Sequence, residues 1–264
     1  MVILITGITS GFGRAMASRL QADGHKVYGT HRKDCEPIPG VTYIKADVRD
    51  PESVDATVKA VLDAEGRIDV FINNAGMGIG GPLEFTPFED AQMQMDVNFM
   101  GMVRFLNAVV PVMRAQRHGH IICISSIGGL MGLPYQGMYS ASKFAIEGYC
   151  EALRLELRQF GIHVTTINPG DFFTGFTAAR SKNLAADAMA AYPGYADSMK
   201  DIESDERSGL QPDHLARKIS GIVRKRHPRN RYIIATTVQK ASVLLKAILP
   251  SKWFDRILGS YYKL

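Results

Sequence analysis

The sequence predicts an α/β protein built on a doubly wound parallel sheet. Two observations carry this reading. Short β-branched runs alternate with longer helical stretches, and 264 residues is a length that one such domain commonly fills. Residues 2–5 form an apolar run ended by Thr6-Gly7. Residues 14–22 are helical and stop near Gly24, and residues 26–29 restore strand character. Residues 41–45 form another strand, and residues 51–65 are helical, with Asp50 as N-cap ahead of Pro51. A strand over 68–72 is broken by Asn73-Asn74-Ala75-Gly76, and one or two long helices fill 88–117. Residues 121–124 read as a buried strand, 139–160 as a helix and 163–167 as a strand. Residues 171–212 depart from the pattern. They lack a strand, mix aromatics with an Ala-rich helical piece around 185–191, and read as a lid. The tail from residue 232 has one short apolar run, then a basic amphipathic stretch over 240–264. No internal repeat or low-complexity tract interrupts the chain, so a single domain over 1–264 is expected.

Composition excludes several classes. Hydrophobic residues at 46% and charged residues at 22% are globular values and rule out a disordered or fibrous chain. A net charge of +5 suits an anionic cofactor but is too small and too dispersed for nucleic-acid binding. Cys35, Cys123 and Cys150 form no CxxC pair, so neither a disulfide nor a zinc framework is expected, and a reducing compartment fits. His118 and His120 lack Cys or carboxylate partners at ligand spacing and read as loop residues, so no metal site is expected. The longest apolar stretch, 97–113, is interrupted by Arg104 and Asn107, and the N-terminus lacks a signal-peptide pattern. A cytoplasmic location is the resulting expectation.

The first run is followed directly by Thr6-Gly7-Ile8-Thr9-Ser10-Gly11-Phe12-Gly13. Gly7 allows a tight turn, Gly11 removes a Cβ where a pyrophosphate approaches, and Gly13 lets helix and sheet pack closely. The phosphates would meet the positive end of the helix. The spacing is GxxxGxG rather than GxGxxG.

This motif, followed by Asn73-Asn74-Ala75-Gly76, Tyr139-Ser140-Ala141-Ser142-Lys143 and Asn168-Pro169-Gly170, resembles the short-chain dehydrogenase/reductase family in content and order over roughly residues 1–175. The resemblance implies a single-domain Rossmann fold with seven parallel strands, and a nicotinamide-dependent oxidoreductase. Tyr139 and Lys143 are four apart and share a helix face, where an ammonium would stabilise a phenolate. By resemblance Tyr139 is the proton donor in reduction, and Lys143 also holds the nicotinamide ribose. Ser126 lies 13 residues before Tyr139, the spacing of the family's catalytic serine, with Ser125 as its rival. Asn98 matches the helix asparagine that supports a water linking the lysine to solvent. Asp47-Val48 matches the adenine contact. By resemblance Asn74, Ala75 and Gly76 line the cofactor, and Pro169, Gly170 and Thr174 close on the nicotinamide.

Cofactor choice reads from the end of the second strand. Where NAD-preferring proteins place an acid, this chain has His31 followed by Arg32, which favours the 2′-phosphate of NADP over NAD. Thr9, Ser10 and Thr30 add hydroxyls, and Asp34 is displaced into the loop. Phe172, Phe173, Phe176, Met189, Tyr192, Tyr195 and Met199 suit either an apolar substrate or packing of the lid. Residues 127–130 and Tyr135 should border the pocket. The tail resembles that of members acting on steroids, retinoids or keto lipids. Its basic amphipathic character fits peripheral membrane contact, a neighbouring element or a partner subunit. The expected function is NADP(H)-dependent interconversion of a ketone and a secondary alcohol on an apolar small molecule. The alternatives are a reductase of small polar or carrier-bound carbonyls and a catalytically idle dinucleotide sensor or scaffold. By resemblance a homodimer or homotetramer is expected, with Leu153 and Leu157 either supplying contacts or facing the sheet.

Overall fold

The structure, a computed structural model, describes residues 1–182 and 186–264. Its first half runs β1 (Val2–Ile5), α1 (Gly11–Ala22), β2 (Lys26–His31), β3 (Val41–Lys45), α2 (Pro51–Glu65), β4 (Val70–Asn73) and β5 (Ile79–Gly80). Then come α3 (Phe88–Met95), α4 (Gly101–Gln116), β6 (Gly119–Ile124), α5 (Gly137–Leu157) and β7 (Ile162–Pro169). The remainder is α6 (Phe176–Ala179), β8 (Ser181–Lys182), α7 (Ala186–Ala191), α8 (Tyr195–Ser208), α9 (Pro212–Val223), β9 (Arg231–Ile234), α10 (Thr237–Ile248) and α11 (Ser251–Tyr261). The main sheet has seven parallel strands in the order β3-β2-β1-β4-β6-β7-β9, the doubly wound arrangement expected. Strand order reverses between β1 and β4, which opens the crevice where ligands bind in such sheets.

Each face of the sheet carries its own apolar layer. Met16, Ala17 and Leu20 of α1 meet Leu215, Ala216 and Ile219 of α9 on one side. On the other, Val58 and Val61 of α2, Phe105 and Val109 of α4 and Ile146 of α5 cover the strands. Phe71 stacks on Phe105 with centroids 5.5 Å apart. Burying such side chains stabilises by about 1.5–3 kcal/mol each, which fixes the helices against the sheet. Leu153 and Leu157 belong to this layer, so they face the core and supply no subunit contact. Asp50 caps α2 as expected, its carboxylate accepting from the Glu52 N–H at 3.1 Å.

Several expectations need correction. The helical stretch over 88–117 is α3 and α4 joined by a π-helical turn, Asp96–Met100, which carries Asn98. A π turn accommodates an extra residue and swings its side chains out of α-helical register. The lid does contain a strand: β8 pairs in parallel with β5. Its Ala-rich piece is α7, and Ala185, the first residue expected in it, lies outside the described residues. His120 is a strand residue, not a loop residue. It is buried in β6 with Nε2 2.9 Å from Thr165 Oγ1, and burial lowers its pKa to about 3. Among the described residues no helix is long and apolar enough to cross a membrane, and no group of three or more His, Cys, Asp or Glu side chains is placed to hold a metal ion.

Candidate active site

The motifs meet in a cavity of about 980 Å³ at the carboxyl ends of the strands. Gly7, Thr9, Ser10, Gly11 and Phe12 line one end. Gly7 and Gly11 have φ of 72° and 52°, a region that favours glycine. Gly13 does not line the cavity; a Cβ there would lie 2.0 Å from the Gly7 carbonyl oxygen. Its role is the close helix–strand approach read from the sequence. Ser10 makes no side-chain capping bond to α1, which leaves the first-turn N–H groups of that helix for an anionic ligand. The cradle therefore fits a dinucleotide pyrophosphate. Thr6 and Asn74 lock it in place: Thr6 Oγ1 accepts from the N–H groups of Asn74 and Ala75, and Asn74 Nδ2 donates to the carbonyls of Thr6 and Gly7, all within 3.0 Å. Asn74 thus lines the cavity while spending its amide protons on the cradle itself.

Beyond the cradle, Thr30, Arg32, Lys33, Asp47 and Val48 line the cavity. The Thr30 hydroxyl accepts from the Gly7 N–H at 3.1 Å. Asp47 is paired with Arg49 at 2.6 Å, and the guanidinium holds its carboxyl below the usual range. The structure does not bring His31 into the cavity. Its ring packs edge-on against Tyr43 at 5.7 Å, and Nδ1 lies 3.1 Å from the Lys33 carbonyl. His31 occupies the last position of a strand, whose side chains alternate between faces, so its successor Arg32 and then Lys33 reach the site instead. Lys33 lies past the strand end, where the strand's alternation no longer tells which side chain faces the site.

At the reaction end, Ser126, Tyr139 and Lys143 all line the cavity. Ser126 follows β6 and opens a single 3₁₀ turn, its Oγ accepting from the Gly128 N–H at 3.0 Å. The same hydroxyl lies close enough to Tyr139 to favour its ionised form. Among the described residues Ser125 Oγ has no hydrogen-bond partner, and it lies where a Cβ on Gly129 would meet it at 2.7 Å, so it packs beneath the turn. Burial pushes the Tyr139 phenol above its ordinary value, opposed by Ser126 and by Arg180. The expected help from Lys143 does not prevail. Lys143 Nζ lies 5.7 Å from the Tyr139 ring centroid and donates to the Ile124 carbonyl at 2.9 Å. Burial lowers the Lys143 pKa to about 8. Asn98 is buried behind the cavity, trading hydrogen bonds with the Met77 backbone at 2.8 and 3.0 Å and donating to Ser142 Oγ at 3.0 Å.

A buried support went unread in the sequence. Glu147, one turn after Lys143 on α5, accepts from Asn168 Nδ2 at 2.7 Å and Thr166 Oγ1 at 3.1 Å and pairs with Arg231 at 2.8 Å. Asn168 Nδ2 also donates to the Ser126 carbonyl at 2.8 Å. This network ties α5, β7 and β9 to the Ser126 turn. Its signal was the i, i+4 placement of Glu147 after Lys143, which marks the same helix face.

The closing wall comes from the lid and tail. Pro169, Gly170 and Thr174 line the cavity as expected, and a Cβ on Gly170 would lie 2.1 Å from Gln239 Oε1, so α10 presses directly on this turn. Phe172 and Phe176 line the cavity, whereas Met189, Tyr192, Tyr195 and Met199 pack in an apolar cluster with Tyr135 that reaches the cavity only through Ile202, Leu258 and Tyr262, and Phe173 is exposed. Of 127–130 only Ile127 lines it, joined by Met131, Leu133 and Gln136. Val238, Leu245, Phe254, Ile257, Leu258 and Tyr261 complete an apolar wall. Asp171, Asp205 and Glu206 interrupt that wall, and burial with the repulsion of its two acidic neighbours pushes Asp171 up to about 6.

Comparison with known proteins agrees with this geometry. The profile of the short chain dehydrogenase family matches residues 1–185. A 3-ketodihydrosphingosine reductase of Bacteroides thetaiotaomicron is 46% identical over 265 residues, with 99% of this chain and 97% of that protein covered. Estradiol 17-beta-dehydrogenase 1 of Rattus norvegicus is 42% identical over 191 residues; 66% of this chain is covered, and the chain spans 55% of that protein. Among solved structures, a short-chain dehydrogenase from Streptomyces avermitilis has a TM-score of 0.82 at 29% identity, covering 99% of this chain and 96% of that one. With its seven-stranded parallel sheet, its glycine cradle and this match, the chain belongs to the short-chain dehydrogenase/reductase family of nicotinamide-dependent oxidoreductases.

Proposed function

We propose that the protein is an NADP(H)-dependent reductase of long-chain keto lipids, working reversibly on the corresponding secondary alcohols. One observation carries this reading: a single cavity joins Ser126, Tyr139 and Lys143 at one end to an apolar wall built by α10 and α11. The 3-ketodihydrosphingosine reductase relative, matched over nearly its full length, supports it. So do the acids in the wall. Burial and then the repulsion of Glu206 and Asp205 raise Asp171; a sphingoid ketone carries an amine beside its carbonyl, and an ammonium there would offset that repulsion. Arg32 and Lys33 support NADP over NAD, since both suit a 2′-phosphate.

Reduction adds a hydride and a proton to the ketone. When bound, the nicotinamide supplies the hydride to the carbonyl carbon. Tyr139 holds its proton at neutral pH, because burial keeps the phenol protonated, and delivers it to the carbonyl oxygen. Ser126 Oγ donates a hydrogen bond to the same oxygen as negative charge develops. The Lys143 ammonium, buried beside the ring, would stabilise the phenolate left behind and would help hold the ribose of a bound cofactor. Asn98 fixes the Met77 turn and Ser142, and so the helix face that carries Tyr139 and Lys143. Ketones of rising chain length, offered with NADPH, should show kcat/KM rising with length. A preference for small polar or carrier-bound carbonyls would favour the runner-up reading, and no turnover at all the idle sensor.

Assembly would use the Tyr139 helix and the segment around Asn98, which the family resemblance pairs, but through side chains other than the buried Leu153 and Leu157. Met100 of the π turn and Phe144 and Leu155 of α5 are exposed, and Phe99 and Tyr149 pack edge-on between the two helical segments. This supports a homodimer or homotetramer paired through that face. Light scattering at micromolar concentration should show a multiple of 29.1 kDa, and a monomer would contradict the pairing.

A further inference from the structure

We propose that the α10–α11 hairpin docks on an anionic lipid surface and that the cavity takes its substrate from that surface. The inference rests on the keto-lipid reading for the identity of the substrate, but the docking itself does not.

Three observations converge on the hairpin. First, α10 has no buried residue, although its Val238, Ala241 and Leu245 line the cavity. Second, the apolar wall of the cavity continues outward. Leu244 and Ile248 of α10 and Trp253 and Ile257 of α11 are exposed by half or more of their surface, and Ile257 also lines the cavity. The cavity mouth and the exposed apolar strip are therefore one surface. Third, the strip is set among cations. Lys240, Lys246, Lys252 and Arg256 lie in residues 237–260 against the single acid Asp255, while Lys263 further on is paired with Asp201 of α8. Arg256 sits over the Trp253 ring at 5.9 Å and Lys246 over Phe254 at 5.0 Å, so the cations flank the apolar side chains directly.

An apolar face edged by lysine and arginine is the pattern of a helix lying in a bilayer interface, with apolar side chains among the acyl chains and cations at the headgroups. A second copy of the chain is the less suitable occupant. A two-fold contact would set this basic patch against itself, and like charges across an interface oppose association. The hairpin form follows from the sequence. Thr236 and Gln239 make a reciprocal capping box at the start of α10, and Pro250 ends the link before α11. A lipid chain entering between the helices would pass along Leu245, Phe254 and Leu258 toward Tyr139.

Trp253 is the only tryptophan in the chain, so its emission reads the docking directly. With vesicles of phosphatidylglycerol and phosphatidylcholine, its emission should shift to the blue and acrylamide quenching should fall severalfold. Phosphatidylcholine alone should give little change, and high salt should reverse the effect. The triple change Lys240→Glu, Lys252→Glu and Arg256→Glu alters exposed residues outside the cavity lining. It should weaken vesicle binding at least tenfold with the far-UV spectrum and turnover of a short soluble ketone unchanged. Reduction of a vesicle-borne long-chain ketone should fall in the same proportion. Emission and quenching that ignore phosphatidylglycerol vesicles would overturn the proposal, even in a preparation that reduces soluble ketones normally. A blue shift that tracks protein concentration and mass without vesicles would overturn it too, in favour of a second copy. Vesicle binding without turnover of any ketone would leave the docking standing and count against the keto-lipid reading.

Discussion

Tyr139→Phe is expected to lower kcat for ketone reduction by roughly 10²–10⁴-fold, the range for loss of a positioned proton donor. The change removes one hydroxyl from a side chain whose ring packs against Phe176 at 5.6 Å, so the fold should survive. NADPH affinity should hold within a few-fold, because the cradle from Gly7 to Gly13 and the Arg32–Lys33 end are untouched. The loss should fall on kcat and kcat/KM alike, the mark of an interaction made in the transition state. Steady-state turnover near that of the unaltered protein would remove Tyr139 from the chemistry. Ser126 would then be the remaining hydroxyl able to reach the carbonyl oxygen.

The second large effect concerns cofactor choice. Arg32→Ala with Lys33→Ala should raise the NADPH KM while leaving the NADH KM nearly unchanged. Hydrogen bonds to charged groups are worth about 1.5–3 kcal/mol. Both residues are exposed, so screening holds each loss to the lower end, about tenfold. Because the 2′-phosphate is bound alike in ground and transition states, kcat should change little. His31→Asp, by contrast, should do little to the preference, since that ring is turned toward Tyr43 and away from the cavity. Steady-state kinetics with both cofactors decides this. An unaltered protein that uses NADH better than NADPH would show that Arg32 and Lys33 do not read the phosphate.

Sequence reasoning recovered the parts whose physics is local. The strand alternation, the glycine turn after β1, the Asp50 cap and the four-residue spacing of Tyr139 and Lys143 all depend on neighbours a few residues away. Strand direction was harder, and His31 shows why. A one-residue difference decides which face a strand-end side chain takes, and that depends on where β2 stops. Leu153 and Leu157 had a surface reading open to them because apolar spacing on a helix marks a buried face without saying what buries it. Long-range polar support was illegible for a different reason. Glu147, Asn168 and Arg231 lie far apart in the chain and meet only because β6, β7 and β9 are adjacent in the sheet. The lid aromatics divided, with Phe172 and Phe176 at the cavity, Tyr192 and Tyr195 in the cluster around α8 and Phe173 exposed, a partition that composition does not encode.

The burial pattern also sets where the protein should tolerate change. Gly13 and Gly170 have no room for a side chain, while Gly132 and Gly148 face open space.

The central claim, hydride transfer from nicotinamide to a long-chain ketone with Tyr139 exchanging the proton, is tested most directly by isotope. The protein would be incubated with a long-chain 3-keto sphingoid base and NADPH carrying deuterium at nicotinamide C4, on the face transferred. The product alcohol would then be read by mass spectrometry. The expected product is an alcohol carrying deuterium on its carbinol carbon, formed with matching loss of NADPH and nearly absent with Tyr139→Phe. An unlabelled alcohol, or none above the protein-free control while a small polar ketone is reduced, would contradict it.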